Sequence, residues 1–191
     1  MNLASLEEIH QAIWKKLEYA VRHRDSAWHL AALATVRSGN PELRTLVLRG
    51  ALPEQNLLWM HTDLRSPKCQ DLKMCSNASI LFYDAEDRWQ LRLNGTIQLD
   101  PKSEITETTW KKVSASAKRC YQGPFAPGTR SAEQSHNLPQ KSVSEEVGRE
   151  NFTRLLFFID KMDWLFLQAD GHLRAQWIQQ DGELMASWVN P

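Results

Sequence analysis

The chain has 191 residues, 42% of them hydrophobic and 24% charged, which suits one compact domain, or one domain with an appended helix. Its 23 Lys and Arg balance 23 Asp and Glu, so there is no excess positive field to hold a nucleic-acid backbone or an acidic membrane surface. The first residues lack the basic start and apolar run of a signal peptide, and no apolar stretch is long enough to span a bilayer, so a soluble cytoplasmic protein is expected. Cys69, Cys75 and Cys120 are an odd count without a Cys-x-x-Cys pair, which argues against a disulfide framework and a structural zinc site.

Leu3, Leu6, Ile9, Ile13, Leu17 and Val21 recur at helical spacing, and Ser5 followed by Glu8 matches a capping box, so an amphipathic helix is expected over about residues 5–23. From Trp28 the pattern changes to short runs rich in β-branched and aromatic residues, at 29–37, 43–49, 57–61, 79–83 and 89–98, which read as strands. Turn-forming clusters at Ser38-Gly39-Asn40-Pro41 and Gly50-Ala51-Leu52-Pro53-Glu54 make the early strands antiparallel neighbours. Helices are expected over about 66–75 and 103–118, the second beginning after Asp100-Pro101. Residues 123–147, rich in Gly, Pro, Ser, Gln and Asn, read as a long loop. The apolar, aromatic run 152–168, the hairpin signal Asp170-Gly171 and the segments 174–178 and 183–189 complete the sheet. The fold class expected is mainly β (α+β): an antiparallel barrel of six to eight strands with peripheral helices. Residues 1–191 form a single domain in this reading, with the helix inside 1–25 and the loop at 123–147.

Three segments carry chemistry. Arg44-Thr45-Leu46-Val47-Leu48-Arg49 is an apolar strand bracketed by two guanidiniums; their odd separation puts them on opposite faces, so they are expected to do different jobs. His61-Thr62-Asp63-Leu64-Arg65-Ser66-Pro67-Lys68 hands a strand over to a helix, whose free N–H groups, with Arg65, Ser66 and Lys68, suit a phosphate monoester. The plainer reading is a solvated helix start capped by Thr62 or Asp63. In Gln90-Leu91-Arg92-Leu93-Asn94-Gly95 the polar residues share one strand face, which needs water or a polar ligand.

In this order and spacing, the three segments resemble the pyridoxamine 5'-phosphate oxidase family of FMN-binding split barrels, over roughly residues 28–100 and more loosely over the C-terminal strands. The family pattern is Arg, four mostly apolar residues and Lys or Arg; an aromatic-Thr pair with Ser-x-Lys; then Gln-x-Arg-x-x-Gly. The resemblance implies that Arg44 and the backbone of Thr45, Leu46 and Val47 lie along FMN, with Arg49 facing the substrate side. It places His61 and Thr62 at the aromatic-Thr pair, Thr62, Ser66 and Lys68 at the phosphate or ribityl chain, and Gln90 at the flavin ring. It further implies a homodimer with flavin at the interface, to which the second subunit brings a Gln-Ser pair, here Gln134-Ser135.

The chain departs from the family where the substrate phosphate is clamped. The Tyr, Arg and Ser of the helix after the Gln strand become Trp110, Ser114 and Lys118, and the C-terminal Arg-x-His becomes His172 and Arg174. The family's C-terminal Trp and Arg fall near Leu165 and Gln176, with Trp164 one position away. Pro67 replaces one Arg of the phosphate turn, with Arg65 as stand-in. The reading is an FMN-dependent oxidoreductase acting on an unassigned small molecule, with Arg49, Trp110, Lys118, His172 and Arg174 as substrate candidates. The alternatives are a genuine pyridoxamine or pyridoxine 5'-phosphate oxidase with a clamp rebuilt from Lys118, His172 and Arg174, a flavin carrier or sensor working through the long loop, or a barrel holding haem or a deazaflavin. Most of the eight Trp are expected to fill the barrel and the dimer interface.

Overall fold

The computed structural model describes residues 5–139 and 143–191; Leu3 of the helical pattern and residues 140–142 of the loop lie outside them. Helix α1 (Leu6–Arg22) begins at the expected capping box, in which Ser5 and Glu8 satisfy each other's backbone N–H. Its stripe of Ile9, Ile13, Leu17 and Ala20 is fully buried against the barrel. Lys16 anchors the helix at Asp84 (2.7 Å) and Asp87 (2.5 Å).

Eight strands follow the predicted order: β1 (Leu30–Arg37), β2 (Asn40–Leu52), β3 (Leu57–Asp63), β4 (Asn77–Asp84), β5 (Trp89–Asp100), β6 (Phe152–Phe166), β7 (Leu173–Gln180) and β8 (Glu183–Val189). All neighbours are antiparallel. A six-stranded barrel closes through β1–β2–β3–β6–β5–β4, and β7 and β8 extend the sheet beyond it. Closure rests on β6, whose Phe152–Phe158 stretch pairs with β3 along one edge while Arg154–Phe166 pairs with β5 along the other. Beyond the reach of β3, Lys161–Phe166 takes β7 instead.

The other helices are α2 (Pro67–Met74), which packs on β1 and β5, α3 (Glu104–Lys112), which packs on β6, α4 (Ala115–Lys118) and α5 (Glu145–Asn151). The single helix expected over 103–118 is two helices. Val113 and Ser114 are extended between them, and the Ser114 hydroxyl accepts from the Ala117 N–H at 3.3 Å, so a competing cap interrupts the run. The 123–147 loop carries no helix or strand among its described residues until α5 begins at Glu145. Asn137 pins it by bonding both the N–H and the carbonyl of Phe125.

Two glycines are fixed by close approach. At Gly50 an added Cβ would lie 1.8 Å from the Trp59 ring, and at Gly95, beside the β5–β6 bulge, 1.9 Å from the Phe158 carbonyl oxygen. The second is backbone and has nowhere to go, which gives the glycine of Gln-x-Arg-x-x-Gly a steric reason. Gly95→Ala is therefore expected to destabilise the protein by about 1–3 kcal/mol in urea unfolding; an unchanged midpoint would contradict this packing.

Candidate functional site

Strand alternation divides the first two motifs between two places. On β2, Arg44, Leu46 and Leu48 alternate with the more exposed Thr45 and Arg49, and the irregular register between Leu48 and Gly50 sets Arg49 apart as an unpaired residue. On β3, Thr62 is buried while its neighbour His61 faces the other way. Arg44 and Thr62 belong to one cluster, Arg49 and His61 to another.

In the first cluster the Lys68 ammonium donates to the hydroxyls of Thr62 (2.9 Å) and Ser66 (3.0 Å), both buried. Arg44 donates to Thr35 Oγ1 at 2.7 Å. Burial lowers both cations' affinity for their protons, and for Lys68 the nearby Arg44 pushes the same way. The carboxylates that would neutralise them are committed elsewhere: Asp63 holds Arg65 at 2.7 Å and Asp71 holds Arg37 at 2.9 Å. Ser66 is the N-cap of α2, yet its hydroxyl bonds Lys68 and the Cys69 thiol (3.4 Å) rather than a backbone N–H of the helix. Two half-buried cations without a bonded carboxylate, beside hydroxyls and a helix N-terminus, fit the phosphate of FMN. Arg65 is differently placed, its guanidinium bridging Asp63 and the Gly123 carbonyl and so tying the phosphate turn to the start of the long loop.

The second cluster lines a cavity of about 440 Å³ with Arg24, Arg49, Trp59, His61, Lys112 and Tyr121 around it. His61 packs edge-on to Phe152, and its Nε2 is buried with no partner. Burial, reinforced by Arg49 and Arg154, lowers its pKa to about 4, so the imidazole is neutral. Burial pushes the Tyr121 phenol up to about 12, so it keeps its proton.

The third motif lies on the outer face of the sheet. Gln90, Arg92 and Asn94 are the more exposed residues of β5, alternating with buried Leu91 and Leu93. Buried Asp163 accepts from Arg92 (2.7 Å), Arg174 (2.8 and 3.0 Å) and Gln176 (2.7 Å), which holds Asp163 below the usual carboxylate range against the opposing effect of burial. Gln90 and Arg174 flank Leu165 in one row across β5, β6 and β7.

The remaining expected site residues are dispersed. Trp110 is buried against Tyr121 and Phe152, and Lys118 lies over Trp110 and pairs with Glu145. His172 accepts from the Gln168 N–H, and Gln134 and Ser135 are exposed in the long loop. Trp164 is fully buried against Trp89. Arg24, Trp59, Lys112 and Tyr121 were not singled out from the sequence; they carry no motif and meet Arg49 only in the folded chain, from the turn after α1, from β3, from the last turn of α3 and from the turn after α4. Asp163 had a local signal, a carboxylate inside an aromatic strand, which demands a partner.

Comparison with known proteins agrees with this fold. Residues 11–100 match the model of the pyridoxamine 5'-phosphate oxidase FMN-binding domain. Pyridoxine/pyridoxamine 5'-phosphate oxidase 2 of Arabidopsis thaliana is 29% identical over 177 residues, covering 86% of this chain and 88% of the relative. The pyridoxine/pyridoxamine 5'-phosphate oxidase of Polynucleobacter asymbioticus is 30% identical over 116 residues, 60% of this chain and half the length of that relative. Among solved structures, a pyridoxamine 5'-phosphate oxidase-related FMN-binding protein from Nostoc punctiforme superposes with a TM-score of 0.77 at 28% identity, over 98% of this chain and 100% of that one. PhzG from Burkholderia lata, solved with tetrahydrophenazine-1-carboxylic acid, shares the fold at a TM-score of 0.65 and 17% identity, over 85% of this chain and 82% of that one. Residues 11–100 thus match the FMN-binding domain of the pyridoxamine 5'-phosphate oxidase family, and the eight-stranded chain as a whole is similar to oxidases and FMN-binding proteins of that family.

Proposed function

We propose that the protein is a homodimeric, single-domain, cytoplasmic FMN-dependent oxidoreductase that holds the cofactor phosphate on Arg44, Thr62, Ser66 and Lys68. The observation that carries this is the pair of half-buried cations whose neighbouring carboxylates are already taken. Without an anion the pair repels; a phosphate ester placed there accepts charge-assisted hydrogen bonds from both. Bound FMN supplies hydride-transfer chemistry, and the chain's part is to hold the phosphate, bond the ring through Gln90 and shape the substrate side around Arg49.

The outer sheet face supports the dimer in this reading. Leu30, Leu43, Leu81 and Tyr83 are 53%, 70%, 38% and 48% exposed on adjoining strands β1, β2 and β4, where a solvated face would be polar. Gln90 opens onto the same face, whereas Arg44 lies on the alternate side of β2. A second copy covering this face would bring its phosphate cluster toward Gln90 and complete one flavin site from two chains. No helix among the described residues is long and apolar enough to cross a membrane.

The Arabidopsis relative favours a second reading, pyridoxamine or pyridoxine 5'-phosphate oxidation itself. Its clamp would not be Lys118, His172 and Arg174 acting from one chain, because Lys118 is bound to Glu145 and Arg174 to Asp163. Formation of pyridoxal 5'-phosphate with consumption of oxygen would support this reading, and no turnover above free FMN would exclude it.

Arg44→Ala and Lys68→Ala should each weaken FMN about tenfold to a hundredfold in fluorescence titration, the loss of a charged hydrogen bond of about 1.5–3 kcal/mol; unchanged affinity in both would move the phosphate elsewhere. Leu43→Glu combined with Leu81→Glu should convert a dimer into a monomer by light scattering and release flavin, and a persistent dimer would remove this face from the interface. His61 sits at about 4 when folded against 6.5 for the free side chain, so the unfolded chain takes up a proton that the folded one refuses. Stability should therefore fall as pH drops from 6.5 towards 4, by up to about 3 kcal/mol. Urea unfolding of His61→Phe should lack this part of the acid loss; equal losses in both proteins would mean that another group is responsible.

A further inference from the structure

Arg65, the expected stand-in for a phosphate-binding arginine, spends its donors elsewhere. Its Nε and Nη2 donate to the two carboxylate oxygens of Asp63 at 3.1 and 2.7 Å, and its backbone N–H adds a bond to the same carboxylate at 2.8 Å. Asp63 is buried, and a buried carboxylate needs such a partner. The Asp63 carbonyl in turn accepts from the Ser66 N–H (3.0 Å) and the Cys69 thiol (3.4 Å). The turn from β3 into α2 is thus folded around Asp63, and that turn sets Thr62 and Ser66, the two hydroxyls that hold Lys68.

The remaining edge of the guanidinium leaves the turn: Nη1 donates at 2.9 Å to the carbonyl of Gly123, 58 positions along the chain. Gly123 begins a closed piece of the long loop. A Cβ there would lie 2.3 Å from the Asn137 carbonyl oxygen, and the Asn137 side chain bonds both the N–H and the carbonyl of Phe125, so residues 123–137 fold back on themselves. The same piece meets the phosphate turn again at Gly128, where a Cβ would stand 3.3 Å from the ring of Pro67. Its internal bonds are exposed to solvent, so its local opening costs less than opening the barrel. One planar fork therefore joins the turn beneath Lys68 to this loop. A lysine would not, because a single ammonium on a flexible stem does not present separate edges to two fixed partners.

We infer that Arg65 is a positioning residue that couples the anion seat at Arg44 and Lys68 to the docking of residues 123–137. An anion that fixes the turn also fixes the loop, and a docked loop tightens the anion by the same factor. The inference rests on the flavoprotein reading for the identity of the anion, whereas the coupling itself requires only a phosphate group at the seat.

The test is limited trypsin digestion of the full-length protein in three states: flavin-free, saturated with FMN as judged by flavin absorbance, and with inorganic phosphate alone. The cut followed, by fragment mass, is the one after the exposed Arg130. In the wild-type protein FMN should slow it about fivefold or more. Arg65→Lys keeps a cation beside Asp63, so its urea midpoint should stay close to that of the wild type. The variant should nevertheless be cut equally fast with and without bound FMN, and should bind FMN more weakly by the factor of slowing that was lost. Equal cutting of flavin-saturated and flavin-free wild-type protein, a comparison that needs no variant, would overturn the inference and leave the flavin reading standing. Slowing that persists undiminished in Arg65→Lys would do the same, since FMN would then be shielding the loop directly. Should the protein take up no FMN while phosphate slows the cut in an Arg65-dependent way, the coupling would stand and the flavin reading would fall; with neither ligand slowing it, the coupling falls.

Discussion

Everything in this molecule hangs on β6. One strand of fifteen residues pairs with β3 over its first half, with β5 along nearly its whole length and with β7 over its second half. That arrangement turns a twisted sheet into a closed barrel while still offering an edge for the C-terminal hairpin. The bulge opposite Gly95 lets β5 follow β6 through the change of partner, and the absence of a side chain there lets the Phe158 carbonyl approach. The same strand supplies Arg154 under Trp59, Phe152 beside His61, and Asp163 beneath Arg92 and Arg174. Closure and the electrostatics of both strand faces are therefore properties of one segment.

Given that frame, the two-residue period of β2 and β3 separates two kinds of positive charge. On one side are Arg44 and Lys68, half-buried and bonded to hydroxyls, whose charged forms are disfavoured by their surroundings until an anion arrives. On the other are Arg49, Arg24 and Lys112, nearer to water and without a fixed partner. The first arrangement suits a ligand that stays; the second suits one that comes and goes, because exposed cations bind through weaker, screened attraction. On the function proposed above, the division matches the different demands of a retained cofactor and an exchanging substrate.

Much of the fold was legible because its signals are local. The Ser5/Glu8 box, the period-two runs and the turn clusters specify α1 and the strands without tertiary help, and β8 falls on the segment its pattern marked. The break at Val113-Ser114 was hidden because the helical pattern continues across it, and a serine preferring to cap outweighed that continuity. The opposite placement of Arg44 and Arg49 was readable from their odd spacing, and the clustering of Thr62, Ser66 and Lys68 from their density. The bond from Arg65 to the Gly123 carbonyl, the burial of Trp110 and the capture of Arg174 by Asp163 were not readable, since each depends on a partner far away in sequence or on another strand. Arg24 and Lys112 were invisible for the same reason: only the docking of α1 and α3 brings them to Arg49.

The central claim is that the cluster of Arg44, Thr62, Ser66 and Lys68 is the seat of a flavin phosphate. A crystal structure of the protein grown with FMN tests it most directly. The account predicts phosphate oxygens within hydrogen-bond distance of the Arg44 guanidinium and the Lys68 ammonium, with the flavin ring against Gln90 of the partner subunit. A phosphate seated instead among Arg24, Arg49 and Lys112, or a protein that crystallises without flavin from saturating FMN, would contradict it.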